Sequence, residues 1–126
     1  MRYFFLFFFA SNIFALNWTQ VTSNDDAIFY VDLDSIKKSN GMVYYWNLSD
    51  RYEKITISNI TFMSTVSYNM TDCDDINRVK ILTTSFYEGK MAGGRSLYTL
   101  EEQDWSYNIP GTVGAAQENY VCSIIK

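Results

Sequence analysis

The sequence predicts an α+β fold in which a six-stranded antiparallel β-sheet carries one C-terminal α-helix, and three observations predict it. Short segments rich in β-branched and aromatic residues follow one another along the chain, with turn residues between them. The helical pattern comes last, after Pro110 and Gly111. The chain has 126 residues, which is enough for one domain.

The first fifteen residues have the pattern of an export signal. A positive charge after the first methionine precedes an unbroken apolar run, and a small-residue cleavage site ends at Ala15. The alternative is a membrane anchor, which needs about 20 apolar residues, whereas the stretch 3–16 has 14 and polar interruptions. We therefore expect residues 1–15 to be a signal peptide and residues 16–126 to form the domain, with no transmembrane segment after cleavage.

The strands are predicted from runs of β-branched and aromatic residues that turn residues bound. They cover residues 17–21, 27–33, 42–48, 59–71, 76–87 and 95–100. The fourth is the clearest, because apolar Ile60 and Phe62 begin an alternation with polar residues. Asn40 and Gly41 form a hairpin signal, and we expect the charged stretch 49–56 to be a loop. Consecutive strands with short turns predict an antiparallel meander.

The helical pattern follows the single proline of the chain. Pro110 and Gly111 end the preceding element, and Thr112 can act as the N-cap of a short helix. The residues near one helical face are typical of a helix that packs on a core: Val113, Ala116, Tyr120 and Val121. The apolar face of the sheet needs cover, and we expect this helix to supply it.

The chain has two cysteines, Cys73 and Cys122. In an exported protein an even pair is a disulfide candidate. The alternatives are two free buried thiols or half of a metal site, and the sequence gives the metal site little support because it has no histidine and no CxxC. A bridge that closes about 50 residues would stabilise the fold by roughly 4 kcal/mol in the chain-entropy model.

The sequence offers no arrangement of residues that is typical of an active site. Without histidine it cannot carry a Ser-His-Asp triad or a histidine-dependent cysteine protease, and it has neither a GxGxxG motif nor a P-loop. Asp72, Asp74 and Asp75, like Asp25 and Asp26, are typical of turns, although paired carboxylates could also serve a small hydrolase. We expect a protein that is not an enzyme, with no cofactor and no catalytic or metal-binding residues.

The acidic balance of the chain argues against nucleic-acid binding. The net charge is −4 and the sequence pI is about 4.6. A nucleic-acid surface needs a basic patch or stripe. We therefore expect no nucleic-acid partner.

Both faces of the predicted sheet carry large apolar side chains, although one short helix can cover only one face. On the third strand Met42, Tyr44, Trp46 and Leu48 point one way, and Val43 and Tyr45 point the other. An uncovered apolar patch usually marks a partner surface, unless the predicted loop 49–59 hides it. We expect the second face to mediate self-association or ligand contact, with Tyr45 and Val43 as the candidate binding residues and a homodimer favoured over a small-molecule pocket.

An ordered set of residues along the mature chain points to a known family. The set is Trp18, the run Asp32 to Lys37 after a Tyr-Val strand, Trp46, Asp72 with Cys73, Arg78, the run Thr84 to Tyr87, Trp105, the run Pro110 to Gly114, and Cys122. This order and spacing resembles the surface-adhesin protein E-like family of small exported bacterial proteins. The resemblance implies an antiparallel sheet, a C-terminal helix and a Cys73–Cys122 bridge. For the founding adhesin it also implies binding of host matrix and plasma proteins such as vitronectin and laminin.

Two functional hypotheses remain from the sequence. The first is an exported non-enzymatic binding module, a surface adhesin that contacts protein or extracellular-matrix partners. The alternative is a periplasmic, envelope-associated structural or accessory domain without an extracellular ligand. Both place the protein outside the cytoplasm of a Gram-negative bacterium, either in the periplasm or at the cell surface.

Overall fold

The computed structural model describes residues 16–75 and 77–125. These form eight strands and one α-helix, with the bounds β1 Trp18–Ser23, β2 Ala27–Asp32, β3 Lys37–Ser39, β4 Met42–Ile57, β5 Ile60–Asp72, β6 Arg78–Tyr87, β7 Ser96–Leu100, β8 Ser106–Tyr107 and α1 Val113–Ile124. Short 3-10 helices lie at Leu33–Ser35 and Lys90–Ala92. The predicted signal peptide, residues 1–15, lies outside the described residues.

The strands form a single antiparallel sheet in the order β1-β2-β4-β5-β6-β7. The short strands β3 and β8 pair with β4 and β6, respectively. The six strands of the main path are the six that the sequence predicts, and they are followed by the predicted C-terminal helix. The predicted fold class is therefore confirmed, and β3 and β8 are additions that the sequence analysis missed.

The longest hairpin of the sheet joins β4 to β5 and corrects the prediction of a loop at 49–56. Strand β4 continues to Ile57, and β5 begins at Ile60. The two residues between them, Ser58 and Asn59, have φ angles of 49° and 67°, as a two-residue hairpin turn of type I′ requires. The charged residues of this stretch lie in the strand itself, largely on its exposed positions, so the loop predicted at 49–59 does not exist and hides neither face of the sheet.

Helix α1 begins where the sequence predicts. Thr112 is its N-cap, and the hydroxyl of Thr112 accepts a hydrogen bond from the Ala115 N–H at 3.4 Å. The buried residues of the helix are Ala115, Gln117, Glu118 and Val121. Of the predicted apolar face, only Val121 is fully buried. The helix face that meets the sheet is not the predicted one, because two polar side chains, Gln117 and Glu118, belong to it.

The apolar core lies between α1 and one side of the sheet, which we call the helix side. Val31 of β2, Val43 and Tyr45 of β4, and Val121 of α1 form its buried centre. Half-buried apolar residues pack around them: Val21, Ile36, Cys73, Tyr120, Cys122 and Ile125. Burying a side chain such as Val121 contributes roughly 1.5–3 kcal/mol, so this small cluster is what holds the helix by apolar contact.

Polar contacts occupy the rest of the helix–sheet interface. The side chain of Glu118, which is 2% exposed, accepts hydrogen bonds from the hydroxyl of Thr71 and from Nδ2 of Asn108, the latter at 2.8 Å. The Oε1 atom of Gln117 accepts from Nδ2 of Asn47 at 2.5 Å. A buried polar group is costly unless it is hydrogen-bonded. These pairs therefore specify where the helix sits.

The Cys73–Cys122 disulfide fastens the C-terminal end of α1 to the end of β5. The two Cα atoms are 5.7 Å apart, and the cysteines are separated by 49 positions in the sequence. This confirms the bridge that the sequence analysis expected. Because α1 has few apolar contacts of its own, the bridge is a principal restraint on the helix.

The opposite side of the sheet, which we call the open side, is covered at one end by the loop after β6. The N–H of Met91 donates to Oδ1 of Asp50 at 2.8 Å, and the N–H of Ala92 donates to the hydroxyl of Ser64 at 2.9 Å. These bonds satisfy the buried polar groups of Asp50 and Ser64. The loop therefore closes the end of the open side near the β4–β5 hairpin.

Replacing both Cys73 and Cys122 by serine should lower the free energy of unfolding by roughly 2–5 kcal/mol, because the unfolded chain regains the entropy of a loop of this length. Urea denaturation of the purified protein measures the change in the free energy of unfolding. The reduced wild-type protein is the matched control and should show the same loss. A double variant as stable as the oxidised wild type would contradict the role given to the bridge.

Candidate functional site

The acidic clusters of the sequence lie in turns. Oδ1 of Asp72 accepts from the N–H groups of Asp74 and Asp75 at 3.0 and 3.3 Å, and its other oxygen is 3.7 Å from the Arg78 guanidinium. In the chain outside residues 1–15, 76 and 126, no group of three or more histidine, cysteine or acidic residues could hold a metal ion. The described carboxyls of this turn therefore act in local structure.

Val43 and Tyr45, the predicted binding residues, are buried in the core. Their exposed fractions are 1% and 2%, and both pack with Val121. The prediction placed them on the uncovered face, and this is wrong because α1 lies on the side to which they point. Alternation along a strand tells which residues share a face, but it does not tell which face the helix covers.

The buried position of Tyr45 also changes its acidity. Burial first, and the negative charge of Glu118 second, raise the pKa of the Tyr45 phenol well above its usual range. Both causes disfavour the phenolate form. Tyr45 is therefore a neutral core residue and not a surface ligand.

An apolar groove lies where the β4–β5 hairpin meets β6 and β7. Helix α1 contacts β1 and β4. In the register of the sheet, Phe86 of β6 pairs with Tyr98 of β7, so these two side chains are neighbours on the same face. The apolar groove, of about 420 Å³, is lined by Ile57, Ser58, Ile60, Phe62, Phe86, Tyr98 and Leu100.

The apolar groove has a buried aromatic floor and exposed apolar walls. Phe62 is 6% exposed, and its ring meets that of Phe86 edge to face, with the ring centroids 4.9 Å apart. Ile57, Tyr98 and Leu100 are exposed to 54%, 49% and 37%. Single exposed apolar residues are normal on a protein surface, whereas a contiguous group around a groove is typical of an interaction site.

One edge of the sheet runs beside the apolar groove. In residues 16–75 and 77–125, β7 pairs with β6 and with no other strand, so the backbone N–H and C=O groups on its other edge are open to a further strand. Tyr98 and Leu100 of β7 also line the groove. The same segment therefore offers a hydrogen-bonding edge and an apolar surface.

The sequence analysis missed these residues because the groove joins distant segments. Ile57 lies in the stretch 49–59, which was expected to be a loop, while Tyr98 and Leu100 lie on the last strand of the predicted meander, whose side chains were not examined as a surface. A usable signal was present. Ser58 and Asn59 stand between two apolar alternations, which marks a hairpin turn, and β7 follows the last strand of a meander, where an edge is expected.

The family model described as Surface-adhesin protein E matches residues 18–123. The chain belongs to this family. Among curated proteins no match was found. No helix among the described residues is long and apolar enough to cross a membrane.

Solved structures of Haemophilus influenzae protein E share the fold. Crystal form II has a TM-score of 0.67 at 16% sequence identity, with 86% of this chain and 88% of that chain covered. Another structure of protein E gives a TM-score of 0.65 at 16% identity, with 86% of this chain and 85% of that chain covered. Protein E from non-typeable Haemophilus influenzae gives a TM-score of 0.58 at 16% identity, with 85% of this chain and 76% of that chain covered. At this identity the likeness shows the fold.

The raised pKa of Tyr45 predicts a loss of stability in alkali. An unfolded tyrosine releases its proton near its ordinary pKa of about 10, whereas folded Tyr45 keeps its proton. The contribution of the protonated Tyr45 phenol to the free energy of unfolding is therefore fully present below about pH 10. It is lost as the pH rises toward the pKa of folded Tyr45, at up to about 1.4 kcal/mol per pH unit.

Urea unfolding between pH 9 and 11 tests this on Tyr45→Phe, which should lose less stability over that interval than the wild type. Tyr98→Phe, which removes an exposed phenol, should lose as much as the wild type. Identical pH dependence in Tyr45→Phe and wild-type protein would show that the buried phenol is not the cause.

Proposed function

We propose that this protein is an exported, non-enzymatic adhesin that binds an extended segment of a protein partner in the apolar groove. The observation that carries the proposal is the coincidence of three exposed apolar side chains, Ile57, Tyr98 and Leu100, with an open strand edge. Membership of the Surface-adhesin protein E family supports an adhesive role. Surface display after export agrees with that family description.

An extended peptide fits both features of the site at once. Added to β7, a strand would form backbone hydrogen bonds with the open edge, as in other complexes that extend a sheet. Successive side chains of a strand point to opposite faces, so every second side chain of the partner would enter the groove beside Tyr98 and Leu100. The backbone would supply affinity and the groove would select apolar residues at alternate positions.

The exposed walls of the groove favour a protein over a small molecule. A small-molecule site usually buries most of its ligand, whereas Ile57 and Tyr98 are about half exposed. Phe62 is buried beneath them and forms a rigid floor. Aromatic side chains on such a surface, here Tyr98, are common among residues that dominate protein binding.

A second copy of the chain is the other occupant that the edge could accept. Two β7 strands could pair antiparallel about a two-fold axis, which is the usual symmetry of a homodimer. A homodimer of this kind would not involve Tyr45 or Val43, the binding residues predicted from the sequence. Light scattering of the mature protein at micromolar concentration distinguishes the two occupants, because a monomer leaves the edge free for a different protein.

Binding should weaken when the exposed wall of the groove is removed. We expect the double variant Tyr98→Ser with Leu100→Ser to bind immobilised vitronectin or laminin at least about tenfold more weakly, which corresponds to about 1.4 kcal/mol. Tyr107→Ser is the matched control, because Tyr107 is 64% exposed on β8, outside the groove. Surface plasmon resonance gives the dissociation constants.

Two outcomes would overturn the proposal. Equal affinity of the groove variant and wild type would remove the groove from the binding site, and absence of saturable wild-type binding would remove the adhesive role for these partners. Protease treatment of intact cells is the companion experiment. Loss of the protein from treated cells supports surface display, and its survival there together with release by outer-membrane permeabilisation would support a periplasmic accessory domain.

A further inference from the structure

The sheet edge that carries β7 continues past the end of that strand. Strand β7 ends at Leu100, whose carbonyl oxygen accepts a hydrogen bond from the hydroxyl of Thr83 at 3.2 Å. Three residues later, the N–H of Gln103 donates to the carbonyl oxygen of Ile81 at 2.9 Å. Both acceptor and donor partners belong to β6. Glu101, which follows Leu100, therefore lies in line with β7 along the same edge.

The part of this edge beyond Leu100 is acidic. Glu101, Glu102 and Asp104 are all exposed there. The charge of Glu102 is compensated, because its Oε2 atom is 2.7 Å from Nζ of Lys80. In the part of the chain that the structure describes, Glu101 and Asp104 take part in no ion pair. Two negative charges therefore remain uncompensated at this end of the edge.

The other end of β7 is electrically neutral. The guanidinium of Arg95, the residue before the strand, lies 3.5 Å from Oε2 of Glu88. The backbone N–H of Arg95 donates to Oε1 of the same carboxylate at 3.1 Å. The two opposite charges thus compensate each other. The edge beside the apolar groove is polarised, with a negative end after Leu100 and a neutral end before Ser96.

A strand added to this edge has a preferred direction. Every strand pair of the described sheet is antiparallel, and antiparallel pairing is slightly more stable per residue than parallel pairing. In an antiparallel partner the first residues lie beside Glu101, and the later ones pass Leu100 and then Tyr98. A charge that complements the acidic end therefore belongs at the start of the partner segment.

The spacing of the groove residues sets the pattern of the partner side chains. Tyr98 and Leu100 are two positions apart and both line the apolar groove, so they share one face of β7. Partner residues opposite them would enter the groove from that face, and the partner residue between them would point away. The partner residue that precedes this pair lies opposite Glu101, where a lysine or arginine would be attracted.

We infer that the partner segment begins with a basic residue and continues with two apolar residues at alternate positions. This inference rests on the proposed function and adds the sequence pattern and the direction of the segment that binds. The basic side chain forms an ion pair with Glu101, and the apolar side chains lie beside Leu100 and Tyr98. Exposed ion pairs are weak, so the charge selects direction and register, while the backbone bonds and the groove supply most of the affinity.

Nuclear magnetic resonance titration of the isotope-labelled purified protein with blocked peptides tests the inference, because shifts of the amides of residues 96–101 report the place and the affinity of binding. The reference peptide is Ser-Lys-Val-Thr-Val-Thr-Ser. A second peptide has glutamate in place of lysine, and a third has the reversed sequence. We expect the reference peptide to bind about threefold more tightly than either of the others. The difference should vanish near 1 M salt, where the screening length is about 3 Å.

A charge swap identifies the group that attracts the basic residue. Glu101→Lys should weaken binding of the reference peptide about threefold and make the glutamate peptide the tighter ligand. Asp25→Lys is the matched control, because Asp25 is also exposed and the substitution changes the net charge equally. Asp25 lies between β1 and β2, at the opposite edge of the main strand path. This variant should keep the wild-type order of affinities.

The outcomes separate the inference from the proposed function. Equal affinities for the three peptides, or an order that Glu101→Lys leaves unchanged, would overturn the inference while shifts at β7 still support the groove as a peptide site. A wild-type preference for the glutamate or the reversed peptide would also overturn it. Absence of shifts at β7 with every peptide would overturn the proposed function as well. A dimer in light scattering that no peptide dissociates would assign the edge to a second copy and overturn both.

Discussion

The tethered helix is the constraint on which the other surfaces depend. A helix of 12 residues is about 18 Å long and, with its side chains, about 10–12 Å wide. Five spacings across the six main strands make a sheet about 24 Å wide. The helix can therefore cover only part of one side. The Cys73–Cys122 bridge and the contacts with β1 and β4 decide which part it covers.

The position of the helix rests on specific polar contacts as well as on apolar burial. Glu118 and Gln117 face the sheet and are satisfied by Thr71, Asn108 and Asn47. A buried polar group loses these bonds when it moves, so the helix cannot slide over the sheet without leaving several groups unpaired. Val43 and Tyr45 stay buried for that reason.

The sequence predicted the features that depend on local pattern. Alternation identified β5, Thr112 marked the start of α1, and the two cysteines of an exported chain indicated the bridge. The rest depends on interactions between distant segments. Apolar periodicity could not find a helix face that includes Gln117 and Glu118, because their burial is stabilised by partners on β4 and β5 and in the segment before the helix.

The choice between the two faces of the sheet could not be predicted for the same kind of reason. Val43 and Tyr45 alternate with Tyr44 and Trp46, and all four are large and apolar or aromatic. The local sequence does not distinguish Val43 and Tyr45 from Tyr44 and Trp46. The first pair is buried in the core because α1 packs on its side of the sheet. The apolar groove joins the β4–β5 turn to an edge strand, and it was missed because the stretch 49–59 was expected to be a loop and not the end of a long hairpin.

Nitration of the oxidised protein by tetranitromethane, with each tyrosine located by peptide mass spectrometry, tests most directly whether α1 covers the side of the sheet that carries Tyr45. The account predicts modification of Tyr98 and Tyr52, which are 49% and 47% exposed, while Tyr45, at 2%, stays unmodified. After reduction of the Cys73–Cys122 bridge, Tyr45 should become reactive as the helix loosens. Modification of Tyr45 in the oxidised protein, or protection of Tyr98, would contradict the account.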